Sequence, residues 1–167
     1  MAYIITTPLA GMQPIATNST VKNHPLGTVV TATDPTYGTG EFIYLQGIAS
    51  TAVGDAVTYD ASHVTARAAA GNALPRAVAF AMSACVASEY GWYQIGGIAV
   101  ANKTKTVSFA AGIAVGISTT ALISVSSSLK ELQGALVAVV ASATTTTNNG
   151  DKIKLMINRP HLQGRIT

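Results

Sequence analysis

The chain has 167 residues, a length that suits one compact domain with an additional extended segment. Charged residues make up only 10% of it, against roughly 25% in an ordinary soluble domain, while the hydrophobic share is an ordinary 49%. Ser, Thr, Asn, Gln and Gly fill the deficit. Because the cores of protein interfaces are depleted in Lys, Glu and Asp in the same way, this composition favours an assembly subunit over a free monomer.

Charge and cysteine content exclude several classes of protein. A net charge of +3 from basic residues spread along the chain is not the dense basic stripe typical of nucleic-acid binding. The single cysteine, Cys85, excludes an intrachain disulfide framework and a cysteine-based metal cage. The stretch MAYIITTPLAGMQPIA has no Lys or Arg and so lacks the basic start of a secretory signal. The uncharged run 106–129 is too rich in Ser and Thr for a membrane helix.

Residues 1–40 differ in composition from the rest of the chain. Four of the six prolines fall here, at Pro8, Pro14, Pro25 and Pro35. Each proline removes a backbone donor and pushes the preceding residue toward an extended conformation, and no run keeps a helical period. We therefore predict an extended N-terminal arm that stays mobile until contacts with a neighbouring chain order it. An arm folded over its own subunit's core is the alternative.

From Glu41 onward the apolar pattern has a period of two, which is typical of strands. In 78–87, mostly large even positions alternate with Ala, Ser and Cys, and Ile153, Leu155 and Ile157 share one face of another predicted strand. Further strands are predicted at 42–46, 56–60, 90–100, 106–109, 113–117, 121–125 and 135–144. The pattern favours an all-β fold, a small β-sandwich or barrel (jelly-roll-like or tulip-like), in a β-rich domain over 41–167 with a short C-terminal tail.

Two local motifs add detail to this pattern. Asn149-Gly150, just before the last strand, is the strongest short signal of a β-hairpin because both residues tolerate positive φ. Ser128 and Glu131 match a capping box with Gly134 as a stop, so the sequence predicts one or two helical turns over 128–133.

Residues that could carry chemistry are few and scattered. His24, His63 and His161 have no metal-ligand spacing, so each is interpreted as a polar loop residue. Cys85 lies among small apolar residues and is interpreted as an inert, buried thiol. No nucleophile elbow or phosphate-binding loop occurs in the sequence. We therefore predict that the protein is not an enzyme, and we expect no catalytic residue, metal site or cofactor.

Two clusters of side chains leave alternatives open. The basic residues Lys152, Lys154, Arg159, His161 and Arg165 fit a solvated strand edge with a tail, or electrostatic docking on an acidic partner such as a viral shell. The aromatic cluster comprises Tyr90, Trp92 and Tyr93. Exposed rings would stack on sugars in a carbohydrate-binding module, whereas buried rings would fill the core or an interface.

The runs GEFIYLQG at 40–47 and VGDAVTYD at 53–60 read as two strands joined through glycines. In these runs the chain resembles the small capsid decoration, or cement, proteins of tailed bacteriophages, where such strands form an opening hairpin. The likeness continues through Ala-, Val- and Gly-rich strands to about Asn158. The resemblance implies a structural virion protein that binds and stabilises the outer capsid surface at junctions between major capsid proteins. It also implies a symmetric homo-oligomer, most commonly a trimer and otherwise a dimer.

The resemblance thus implies two partners, a major capsid protein and further copies of this chain, and we expect neither nucleic acid nor a membrane. The expected location is the capsid surface of a virion whose proteins are made in the host cytoplasm. The candidate contact residues are Tyr3, Ile4, Ile5, Leu9, Met12, Ile15, Arg159 and Arg165. Two alternatives stay open: another virion structural protein, such as a head-fibre base or tail component, and the carbohydrate-binding module.

Overall fold

The computed structural model describes residues 2–7, 11–68, 75–105, 107–126, 131–142 and 151–163. Within these ranges the chain is all-β, as predicted, and contains no helix that is long and apolar enough to cross a membrane. The strands are β1 (Ile4–Ile5), β2 (Asn18–Ser19), β3 (Val29–Asp34), β4 (Gly38–Gln46), β5 (Ala56–Tyr59), β6 (Thr65–Arg67), β7 (Ala77–Ala81), β8 (Tyr90–Asn102), β9 (Ala114–Ile117), β10 (Ile123–Val125), β11 (Glu131–Val137) and β12 (Lys152–Leu162). All of them pair antiparallel in one open sheet. Nine strands follow the order β1-β3-β4-β8-β7-β12-β11-β9-β10; off this path, β2 pairs with β8, β5 pairs with β7, and β6 pairs with β5.

The long strand β8 divides this sheet into two branches. In its first half β8 pairs with β4 on one edge and with β7 on the other, so that Gln94 lies between Phe42 and Phe80. From Gly96 onward β12 takes the place of β7 along the second edge. One branch therefore continues through β7 to β5 and β6, and the other continues through β12 to β11, β9 and β10.

The main core lies between the two branches. Inward-facing residues of β5, β7, β8, β9, β11 and β12 meet there. Val78 and Phe80 of β7 point into this core, whereas Ala79 and Ala81 belong to a second buried cluster around Tyr93. The alternation predicted for 78–87 is thus confirmed for β7. The strand itself ends at Ala81, because the chain then bends into a tight turn before β8.

The described part of residues 1–40 does not form a detached arm. It contains β1, β2, β3 and the start of β4, all of which join the same sheet. Tyr3, Ile15 and Val30 are buried in a third cluster together with Trp92. The prolines did not prevent strand formation because Pro25 and Pro35 flank β3 instead of interrupting it. The structure therefore corresponds to the alternative, a segment folded over its own subunit's core.

Two local predictions are wrong, and one lies outside the described residues. Glu131–Gln133 belong to strand β11, not to a helical turn, because their backbones pair with β9 and β12. The expected C-terminal tail is a strand as far as Leu162, and this places His161 in β12. The Asn149-Gly150 turn lies outside the described residues, although β11 and β12 on either side of it pair antiparallel.

The two strands that carry the resemblance form at the predicted positions but do not form a hairpin. β4 pairs with β3 and β8, whereas β5 pairs with β6 and β7. The segment between them carries the chain from one part of the sheet to another. The expected opening hairpin is therefore wrong for this chain.

Candidate interaction surface

The predicted contact residues of the N-terminal segment differ in their exposure to solvent. Tyr3 and Ile15 are buried in the subunit's own core, so they cannot contact a partner. Ile5 and Met12 are partly buried against the same core. Ile4 is 71% exposed on β1, an outermost strand that pairs only with β3 among the described strands. Of these residues, Ile4 is the one that is fully available to a partner.

Of the two predicted basic contacts, the structure describes Arg159. Arg159 is exposed, and its guanidinium lies 3.3 Å from the Glu41 carboxylate of the same chain. Leu9 and Arg165 lie outside the described residues.

Gln13 fastens the N-terminal segment to the sheet through its side chain. Its Nε2 donates to the carbonyl oxygens of Thr17 at 2.8 Å and Tyr90 at 3.2 Å. Its Oε1 accepts from the Tyr44 hydroxyl at 3.0 Å and from Asn23 Nδ2 at 3.0 Å. A buried amide with every polar atom paired stabilises a unique arrangement, because any shift leaves some of these groups without a partner.

The backbone of Gln13 brings His24 and Trp92 into the same network. The Gln13 N–H donates to His24 Nε2 at 3.2 Å, and the Gln13 carbonyl accepts from Trp92 Nε1 at 2.9 Å. The His24 ring packs edge-on against the Tyr44 ring, with centroids 5.1 Å apart. His24 lies in the loop between β2 and β3, as predicted, and it is buried there as an acceptor. Trp92 and Tyr93 are fully buried, so neither ring can form a sugar-stacking platform.

Asp34 joins the chain's start to the turn between β3 and β4. One carboxylate oxygen accepts from the Ala2 N–H at 2.7 Å, and the other accepts from the amides of Thr36 at 2.8 Å and Tyr37 at 3.1 Å. Burial alone would raise the pKa of Asp34, but these hydrogen bonds outweigh it and lower the pKa below its ordinary 3.8. The charged form of Asp34 therefore stabilises the fold.

On the side opposite the main core, the β8-β12-β11-β9 part of the sheet presents a row of exposed and half-buried apolar side chains. Ile98 pairs with Met156, Met156 with Leu136, and Leu136 with Ala114, so these four side chains cross four adjacent strands in register. Met156 is 55% exposed and Leu136 is 39% exposed. We call this surface, together with Lys154 on β12, the outer face. The N-terminal segment borders the outer face on one side, because the Tyr3 hydroxyl donates to the Ile98 carbonyl at 3.1 Å.

The outer face explains where the basic residues of β12 point. Ile153, Leu155 and Ile157 are buried in the main core, as the alternation predicted, so Lys152 and Lys154 face outward. Because β12 pairs with both β8 and β11, it is an interior strand. Lysines protect exposed sheet edges from pairing with other chains, but an interior strand has no such edge. The interpretation of this cluster as a strand edge is therefore wrong.

A groove opens in the outer face where β11 and β12 leave regular pairing. Gln133 pairs with His161 and Ala135 with Ile157, so β12 contains extra residues at this bulge. Gly134 has φ of +74°, and a Cβ there would lie 2.7 Å from the Asn158 carbonyl oxygen. Only glycine suits this close approach, and it replaces the predicted role of Gly134 as a helix stop. The resulting groove, about 510 Å³ in volume, is lined by residues including Glu131, Gly134, Leu136, Met156 and Asn158.

A polar cluster fixes the lysine end of the outer face. Asn102 Nδ2 donates to the Asp55 carboxylate at 2.7 Å, and Lys152 Nζ donates to the Val53 carbonyl at 2.8 Å and to Asn102 Oδ1. Burial lowers the pKa of Lys152, and the negative charge of Asp55 offsets part of that effect. Asp55, from the VGDAVTYD run, thus helps to hold the loop before β5 against β8 and β12. Its role is structural.

The remaining candidates for chemistry lack suitable partners. Cys85 is buried, with Sγ 3.6 Å from Ser83 Oγ. In the part of the chain that the structure describes, no group of three His, Cys, Asp or Glu residues is placed to hold a metal ion. Sequence reasoning did not identify the outer face. Its one signal was Met156, an apolar residue at an outward position between Lys154 and Asn158. In comparisons with known proteins, no family model matches the chain and no curated protein sequence matches it.

Proposed function

We propose that this chain is a non-catalytic structural subunit of a virion, a decoration protein that binds and stabilises the outer surface of a phage capsid. The observation that carries the proposal is the outer face, an apolar row on interior strands of a chain with only 10% charged residues. Contiguous apolar surface of this kind marks a site of protein–protein contact. A free monomer gains nothing from exposing Met156 and Leu136 to water.

The all-β fold fits this role, because rigid sheets present large surfaces on which several weak contacts act together. Attachment at many equivalent capsid sites multiplies modest contacts. Ile4 offers one such contact: it is exposed on β1, whose second edge is free among the described strands and can accept a strand from a neighbouring chain. The binding of sugars has no such support, since Trp92 and Tyr93 are buried.

Co-sedimentation with empty shells assembled from the major capsid protein of the same virus tests the proposal. We expect saturable binding at a fixed number of copies per shell, and we expect decorated shells to withstand higher temperature than bare ones. Tail assemblies from the same virus serve as the matched control. Absence of binding to shells at saturating protein concentration would contradict the proposal, and binding to tails alone would favour another virion component.

A further inference from the structure

We propose that the outer face is a two-fold interface through which two copies of this chain pack sheet against sheet. The proposal goes beyond capsid binding and concerns the same outer face, so in a dimer the capsid contacts fall on other surfaces, such as the free edge of β1 among the described strands. It rests on how charge is arranged around the apolar row. Lys152 and Lys154 lie at one end of the face and Glu131 lies at the other, on the rim of the groove.

The positions of these charges follow from strand register. Lys154 precedes Met156 by two residues and so lies about 7 Å from it, at roughly 3.3 Å per residue. Glu131 lies beyond the Gly134 bulge from Leu136, the pairing partner of Met156. Glu131 pairs with Gly116 and Leu136 with Ala114, so the two are about 7 Å apart measured along β9. Because β11 and β12 are antiparallel, the two distances run in opposite directions from the apolar row. The face therefore has a basic end, an apolar centre and an acidic end, where Glu131 lies near His161 and near Arg159, whose charge is paired with that of Glu41.

This arrangement selects a second copy as the partner. A two-fold axis that lies in the interface and runs across the strands, through the groove, turns the basic end of one copy onto the acidic end of the other. Each residue pair then occurs twice, as an isologous interface requires. The same rotation brings Met156 of each copy toward the partner's open groove beside Gly134. Stacking in the reverse orientation would oppose Lys154 to Lys154, which disfavours it.

The two charged groups are free to make this contact. In the described ranges the Glu131 carboxylate enters no ion pair and accepts one hydrogen bond, from the Ser126 hydroxyl at 3.3 Å. The Lys154 ammonium lies over the Tyr37 ring, 5.3 Å from its centroid, and has no carboxylate partner among the described residues. Sheets pack about 10 Å apart, a gap that extended Lys and Glu side chains bridge.

The size of the face indicates a weak dimer. The β8 part of the face, from Gly96 to Asn102, has seven residues, β11 has seven and β9 has four, all shorter than the eleven of β12. At about 3.3 Å per residue and about 4.8 Å between strands, the area is about 450 Å² per copy, or about 900 Å² in total, which is the size of a weak or transient interface. We therefore expect a dimer that forms at high micromolar concentration instead of the trimer that the resemblance implies.

Charge exchange between copies tests the proposal. Sedimentation velocity and native mass spectrometry over a concentration series should show a dimer for the full chain. Lys154→Glu alone and Glu131→Lys alone should each weaken dimerisation by about tenfold or more, since each opposes like charges twice per dimer. An equimolar mixture of the two variants should restore it, because both pairs are then complementary in the mixed dimer. Met156→Asp should abolish dimerisation, while Ile4→Asp, at an exposed apolar site elsewhere, should not.

Circular dichroism spectra of each variant distinguish lost association from lost folding. A wild-type chain that stays monomeric at high micromolar concentration would overturn the proposal, as would a trimer unaffected by either charge reversal, or a mixture that fails to restore the dimer. If the wild type is monomeric and Met156→Asp loses only shell binding, the outer face docks on the capsid instead. If the dimer responds as expected but no shell binding occurs, the proposed function fails while this interface stands.

Discussion

Gly97 lies where the sheet divides, and its replacement by alanine tests the branched architecture directly. Its φ is +89°, and an added Cβ would lie 2.5 Å from the Thr39 carbonyl oxygen and 3.0 Å from the Gly40 Cα. Both contacts are with the backbone of β4, so no side chain can rotate away. For the added Cβ to reach ordinary van der Waals distance from these atoms, β4 must move away from β8 by roughly 1 Å.

The expected destabilisation has two parts. A left-handed backbone conformation costs a non-glycine residue about 1–2 kcal/mol. Separation of β4 from β8 beside the Glu41–Gly96 pair weakens at least one ladder hydrogen bond, at a cost of about 1 kcal/mol. We therefore expect Gly97→Ala to lower the free energy of unfolding by about 2–3 kcal/mol, a large part of a typical total of 5–15 kcal/mol.

Gly112→Ala is the matched control, because Gly112 has a similar φ of +79° and no atom within 4 Å of the added Cβ. That variant should lose only the conformational part, about 1–2 kcal/mol. Urea unfolding followed by tryptophan fluorescence measures both, since Trp92 is fully buried in the folded state. If Gly97→Ala is no more destabilising than Gly112→Ala, the close approach of β4 to β8 at the branch point is wrong.

Four further predictions concern the N-terminal segment and the buried thiol. Gln13→Ala removes the amide that fastens this segment, so the free energy of unfolding should fall by about 1–3 kcal/mol and trypsin should cleave faster after the exposed Lys22. Because the pKa of Asp34 is lowered in the fold, its stabilising effect is complete above its unfolded pKa of about 3.8 and is lost as the pH falls below it. Thermal melts between pH 2 and 6 should therefore show a smaller acid-induced loss of stability for Asp34→Asn than for the wild type. Maleimide should label Cys85 slowly in the native protein and rapidly in urea, and fast native labelling would contradict its burial. Deletion of residues 1–20 should unfold the sheet, and a truncated chain with native stability would show that this segment is not part of the core.

Alternation along a strand could be predicted from the sequence because it is a local consequence of burying one face. In β12 the inward set Ile153, Leu155 and Ile157 is buried as expected. The first half of β8 does not alternate, because both of its faces are covered and the residues from Trp92 to Ile95 are all buried. The buried position of Trp92 was one of two alternatives left open. Composition and alternation together were sufficient for the all-β class, because both reflect averages over many residues.

Strand pairing could not be predicted, because it is determined by contacts distant in sequence. The hairpin expected between β4 and β5 assumed that neighbouring strands pair, whereas both strands find partners elsewhere in the sheet. The helical turn at Glu131 failed for a related reason: its capping signal is worth about 1 kcal/mol, less than the strand pairing that competes with it. The number of prolines in residues 1–40 predicted an extended arm, but only their placement relative to β3 determines whether the strand forms.

The outer face shows why a functional surface is difficult to identify from alternation alone. In Lys154-Leu155-Met156-Ile157 every second residue is buried. The pattern does not indicate which of the other positions face water and which face a partner. Met156 becomes unusual only when β12 is known to be interior and its neighbours Ile98 and Leu136 are known to align with it across the sheet. An isolated exposed methionine needs no explanation. A row of apolar side chains across adjacent strands does, because folding leaves that row in water and association removes it.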